Sequence, residues 1–218
     1  MNLPTKITVS RIIATIAILL TLFVLNLVSK LNPSFIIPAL EMGNVKVNWF
    51  FIGLLVVFIL VSLTDLVDGR LARARNEVTT LGKFLDPIAD KLLINSMLIF
   101  LIAPQVFAPY NNVQNVKVLV WCVIVMIARD IIVDALRLIA ANKNKVIAAN
   151  IFGKLKTIFQ MIAIGVVLAN DFPFAFFDQG FPAGLRISDI LVYIATAISV
   201  VSGIIYVVQN KQVFKDND

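Results

Sequence analysis

Asp65-Leu66-Val67-Asp68-Gly69-Arg70-Leu71-Ala72-Arg73, followed eight residues later by Gly82, Asp86 and Asp90, is the stretch that decides how this chain folds. At about 100° per residue, Asp65, Asp68, Gly69 and Ala72 fall at i, i+3, i+4 and i+7 and share one helix face. Gly82, Asp86 and Asp90 fall at i, i+4 and i+8 on a second helix. The flanking sequence is apolar enough for a membrane. A carboxylate near a bilayer centre costs roughly 2.5–3.5 kcal/mol, so four unpaired ones would cost on the order of 10 kcal/mol, less near the interface. Divalent cations are the natural compensation. The chain has no histidine and one cysteine, so the ligands are hard oxygens, which suit Mg²⁺ or Mn²⁺ rather than zinc. The small residues Gly69, Ala72 and Gly82 leave room for a phosphate-bearing ligand against helix backbone, and the pattern suits a pyrophosphate.

Working outward, the 218 residues are 60% hydrophobic, with a mean hydropathy of +0.93. That is enough for several spans of ~20 residues. The expected fold class is all-α: one integral membrane domain over 1–218, a bundle of six transmembrane helices near 8–29, 47–75, 83–107, 116–141, 152–170 and 187–209. A short N-terminal interfacial segment, Pro4 to Arg11, leads into the first helix. That helix is expected to be retained, since no small-residue cleavage site follows its apolar run. Ser29 to Asn48 and Asp171 to Arg186 read as loops. Five phenylalanines between Phe172 and Phe181 mark an interfacial aromatic segment, and Cys122 reads as core filling.

The net charge of +6 does not point to nucleic acid, because the 19 Lys and Arg residues sort by membrane side. With the N-terminus in the cytoplasm, only Lys30, Lys46, Lys117 and Arg186 lie outside, as the positive-inside rule requires. The expectation is a multi-pass cell-membrane protein with both termini and the acidic motif on the cytoplasmic side.

A basic constellation follows: Ala128-Arg129-Asp130, Asp134, Arg137, then Gly153-Lys154-Leu155-Lys156-Thr157. Arg129 and Arg137 are about 80° apart in helical projection and lean toward one pocket. Asp130 and Asp134 form an i, i+4 pair able to hold neighbouring cations. Arginine suits phosphate because its planar fork donates in pairs. Topology-setting charge is the competing explanation, favoured for Lys143 and Lys145; for Arg129 and Arg137 we favour anion binding.

The spacing D-x2-D-G-x2-A-R-x8-G-x3-D-x3-D resembles the signature of the CDP-alcohol phosphotransferase family at every fixed position. The resemblance implies that Asp65, Asp68, Asp86 and Asp90 bind two divalent ions, Mg²⁺ or Mn²⁺, on the pyrophosphate of CDP-diacylglycerol. It also implies that Gly69, Ala72, Arg73 and Gly82 line the CDP moiety, and that Asp90 is the catalytic base. The basic constellation, and the opening Asn2 to Arg11, are similar to the branch of the family whose acceptor is glycerol 3-phosphate. Its phosphate would rest on Arg129, Arg137, Lys154 and Lys156. Asp130 departs from the glutamate usual after that arginine. A homodimer in membrane lipid is implied by the family alone. The alternatives are another acceptor, such as inositol phosphate or serine, and a divalent cation transporter. A transporter requires carboxylates along a path through the bilayer, whereas these cluster toward one face.

Overall fold

The computed structural model describes residues 2–32, 34–35, 39–42, 45–75, 80–102, 118–143, 151–177, 180–182 and 184–214. Among them are six α-helices: α1 Leu3–Leu31, α2 Trp49–Arg75, α3 Thr80–Ile102, α4 Val120–Asn142, α5 Ile151–Leu168 and α6 Ile187–Gln209. They follow the expected positions closely, because long apolar runs interrupted by polar loops leave little choice of boundary. Two expectations need correction. The N-terminal segment is not separate from the first helix: α1 runs unbroken from Leu3. Pro4 sits in the first turn, where its missing N–H is no loss. The loop expected over Ser29 to Asn48 carries a short strand pair within the helical fold: β1 Ala39–Met42 pairs antiparallel with β2 Val45–Asn48, with Ala39 opposite Asn48 and Met42 opposite Val45. Pairing satisfies backbone groups that a plain loop would leave to solvent.

The chain forms two compact units, Met1–Asn115 with Leu168–Phe177, and Val116–Val167 with Asp178–Asp218. In the first, α1 packs against both α2 and α3. Ile18 and Leu22 of α1, Phe58 of α2, and Leu93 and Met97 of α3 are buried. The rings of Phe51 and Phe100 tie α2 to α3, with centroids 6.3 Å apart. Ala175, in a short 3-10 turn within the phenylalanine-rich loop, packs against Ile52.

In the second unit α4 packs along α6, around Val133, Leu136 and Tyr206. The start of α6 is fixed by Asp189, whose carboxylate accepts from the backbone N–H of Gly184 at 3.1 Å and of Arg186 at 3.2 Å. An acid there also answers the positive end of the helix dipole. Gly184 has φ +93°, a conformation that favours glycine.

Both units are apolar outside as well as inside. Ile13, Leu20, Phe23 and Val24 of α1, Trp121 and Ile131 of α4, and Ile204 and Val208 of α6 all point outward. Exposed apolar faces of this extent suit hydrocarbon rather than water. Among the described residues, Thr5–Leu31, Ile151–Leu168 and Ile187–Gln209 are long and apolar enough to cross a bilayer. This is a membrane protein.

One buried ion pair joins α5 to α4: the Nζ of Lys156 donates to both carboxylate oxygens of Asp130, and each side chain is only 7% exposed. Removing one partner of such a pair strands the other charge and costs about 3–5 kcal/mol. Asp130→Ala and Lys156→Ala are each expected to lower the melting temperature in detergent clearly. Wild-type melting in both would contradict a structural role for the pair.

Candidate active site

The acidic face begins with α3. Thr80 opens the helix and Gly82 is buried in its first turn. Asp86 and Asp90 follow one turn apart on one face. Pro87, between them, removes the donor that would serve the carbonyl of Lys83. Asp86 accepts a 2.7 Å hydrogen bond from the hydroxyl of Thr8. Asp90 is ion-paired with Nη1 of Arg11. The arginine side chain is 1% exposed and the aspartate side chain 45% exposed. The carboxylate is therefore held from the protein side and open on the other.

Thr8 and Arg11 were not among the expected site residues. The sequence places Arg11 at the end of the interfacial lead-in and among the cytoplasmic charges, with no partner on another helix. The signal for both was available: Thr5, Thr8, Arg11 and Thr15 are all buried, and they recur at three- or four-residue spacing in an apolar helix, a polar stripe that must meet polar partners. Thr15 bonds back to the carbonyl of Arg11 at 2.9 Å, while the Thr8 and Arg11 side chains reach α3.

α2 is helical through Arg75, so positions 65, 68, 69 and 72 keep the spacing of one face. The side chains of Asp65, Asp68, Ala72 and Arg73, and the surroundings of Gly69, lie outside the described residues. Among the described residues no three acidic, cysteine or histidine groups converge. The donors that are described, Asp86 and Asp90, offer carboxylate oxygen, with a hydroxyl and a guanidinium beside them. That set fits a hard divalent cation and not a thiolate-seeking one.

The basic residues lie in the second unit. Arg129 donates from Nη2 to the hydroxyl of Ser202 at 2.8 Å and from Nη1 to Asp130 at 3.1 Å. Arg137, an exposed residue, donates from Nε to the Tyr206 hydroxyl at 2.8 Å. Its guanidinium carbon lies 5.3 Å from the centre of that ring, within cation–π range. Lys154 is exposed. Lys156 is turned inward onto Asp130, so in this structure it faces a carboxylate. Asp130 thus receives both Arg129 and Lys156, the holding role its spacing suggested.

The first unit thus carries an acidic helix face with an open carboxylate, and the second, by itself, a helix with two tethered arginines. A family model described as CDP-alcohol phosphatidyltransferase matches residues 1–202. The chain belongs to the CDP-alcohol phosphatidyltransferase family. It is accordingly a phosphatidyltransferase of phospholipid synthesis, and a divalent-metal requirement comes with the family. A Bacillus subtilis (strain 168) protein named CDP-diacylglycerol–glycerol-3-phosphate 3-phosphatidyltransferase is 36% identical over 217 residues, which cover all of this chain and 99% of that protein. A Mycoplasma pneumoniae protein of the same name is 35% identical over 95% of this chain and 87% of its own length. A third, from Rickettsia felis, is 27% identical over 98% of this chain and 97% of its own length.

A charge-assisted hydrogen bond is worth roughly 1.5–3 kcal/mol. Arg11→Ala is therefore expected to lower kcat by roughly 10- to 100-fold, with partial recovery in Arg11→Lys and little change in either KM. An unchanged kcat in folded Arg11→Ala would show that Asp90 does not need this partner.

Proposed function

We propose that this protein transfers the phosphatidyl group of CDP-diacylglycerol to glycerol 3-phosphate, giving phosphatidylglycerol phosphate and CMP. The end-to-end likeness to relatives of that name is what most supports the choice of substrates. In this reading Asp65, Asp68, Asp86 and Asp90 hold two divalent ions, and Gly69, Ala72, Arg73 and Gly82 line the CDP moiety. When bound, the ions neutralise the pyrophosphate and make its phosphorus more electrophilic. The protein's own residues do the rest.

Asp90 takes the proton from the primary hydroxyl of the acceptor. Its open side admits that hydroxyl, and Arg11 behind it keeps the carboxylate aimed. The freed oxygen forms a bond to the phosphatidyl phosphorus as the bond to the CMP oxygen breaks, and CMP carries away the electron pair. Arg129, Arg137 and Lys154 hold the acceptor's phosphate. Their positive charge discriminates against acceptors that lack one. Lys156 acts behind them through Asp130, which also receives Arg129.

The membrane serves the donor. Its acyl chains stay in hydrocarbon while its head group and the water-soluble acceptor meet at the interface. All six helices then cross the bilayer within one domain, with both termini and the site on the cytoplasmic side, as the sorting of Lys and Arg supports.

Positioned general bases contribute roughly 10²–10⁴-fold to rate. With saturating glycerol 3-phosphate, Asp90→Asn is expected to release CMP at least ~100-fold more slowly than the parent protein while remaining membrane-inserted. Substantial turnover in that variant would remove Asp90 as the base. CMP release that does not depend on glycerol 3-phosphate would remove the acceptor.

A further inference from the structure

Sequence reasoning placed no function on α6, yet its buried face carries a polar stripe. Ser199, Ser202, Gly203 and Tyr206 are all buried, at i, i+3, i+4 and i+7 on one side of an otherwise apolar helix. Two of them receive the arginines of α4. We propose that α6 orients the acceptor-binding arginines, with Ser202 and Gly203 setting Arg129 and Tyr206 setting Arg137. The proposal rests on the acceptor reading above, and assigns positioning residues rather than catalytic ones.

Ser202 acts through the direction of its hydroxyl. Its proton goes to the carbonyl of Ser199, at 2.9 Å. The oxygen therefore presents lone pairs to Nη2 of Arg129, 2.8 Å away. With Nη1 on Asp130, the guanidinium is fixed at two corners. Its Nε, buried, has no hydrogen-bond partner among the described residues.

Gly203 acts through the space it leaves. A Cβ at this position would lie 2.8 Å from Cγ of Arg129, 3.5 Å from its Nε and 3.7 Å from its Cδ. The nearest atom is close to the root of the arginine side chain, so moving the tip does not relieve the clash. The whole side chain must leave its rotamer, and both tethers go with it.

Tyr206 is itself held by Val133 and Leu136. Its hydroxyl takes the Nε edge of Arg137 and its ring lies beneath the guanidinium, which leaves the paired Nη groups to meet an anion. Simple satisfaction of membrane-embedded charge would explain the same hydrogen bonds. It does not explain an effect confined to one of two substrates, and the test is built on that difference.

Steady-state kinetics would be measured on purified protein in lipid–detergent micelles, varying glycerol 3-phosphate and CDP-diacylglycerol separately. Tyr206→Phe keeps the ring and removes the hydroxyl. It is expected to raise the KM for glycerol 3-phosphate about tenfold, with the KM for CDP-diacylglycerol unchanged. Gly203→Ala is expected to do the same or more. Ile204→Ala, on the exposed wall of the groove that Gly203 and Arg129 share, is expected to leave both KM values alone. Arg129→Ala and Arg137→Ala separate this inference from the reading beneath it. If they raise the acceptor KM but Tyr206→Phe does not, the positioning role is overturned, even should Gly203→Ala fail to fold. If neither arginine variant raises it, the acceptor reading itself falls, and the positioning role with it.

Discussion

A charge placed among apolar helices has to be answered from a neighbouring helix, and in this protein that requirement fixes which helices meet and where. Arg11 enters α3 at Asp90 from a position almost wholly buried, and Lys156 enters α4 at Asp130. Hydrocarbon surroundings give non-specific apolar contacts little power to choose a partner, because lipid tails are as apolar as leucine. Paired charges and hydrogen bonds carry that specificity. Thr8 on Asp86 and Ser202 on Arg129 extend the same rule to single hydrogen bonds.

On the proposed function, the same contacts also serve the chemistry. Arg11 holds a carboxylate that remains half open, and Asp130 gathers two cations of which one, Arg129, keeps donor capacity. Stability and chemistry are therefore not separable at these positions. The chain divides the labour by unit: acids, with their hydroxyl and guanidinium supports, in the first, and the tethered arginines in the second. On the proposed function, the acids serve the anionic donor and the arginines the anionic acceptor.

Most of the helical architecture was legible from hydropathy alone, α6 to the residue, because an uncharged run has sharp ends. The acidic motif was legible because its spacing is helical and its residue types are few. Thr8 and Arg11 were harder to see. A lone arginine near the N-terminus of an apolar run satisfies the positive-inside rule, and that sufficient explanation concealed its tertiary partner. Ser202, Gly203 and Tyr206 escaped for a different reason: serine, glycine and tyrosine are ordinary in membrane helices, and only the side-chain path of Arg129 and Arg137 gives them meaning. The strand pair 39–42 and 45–48 was missed because four-residue strands bear no pattern distinguishable from a polar loop. Lys156 looked like a ligand because sequence shows the charge and not the direction it points.

The most direct measurement is a competition. Purified protein in liposomes containing CDP-diacylglycerol would be given Mg²⁺ and equal concentrations of isotopically labelled glycerol 3-phosphate, inositol phosphate and serine, and the lipid extract would be analysed by mass spectrometry. Label from glycerol 3-phosphate alone in phosphatidylglycerol phosphate, equimolar with CMP and lost on chelation, is the predicted result. Label from inositol phosphate or serine, or no labelled lipid from folded protein, would contradict it.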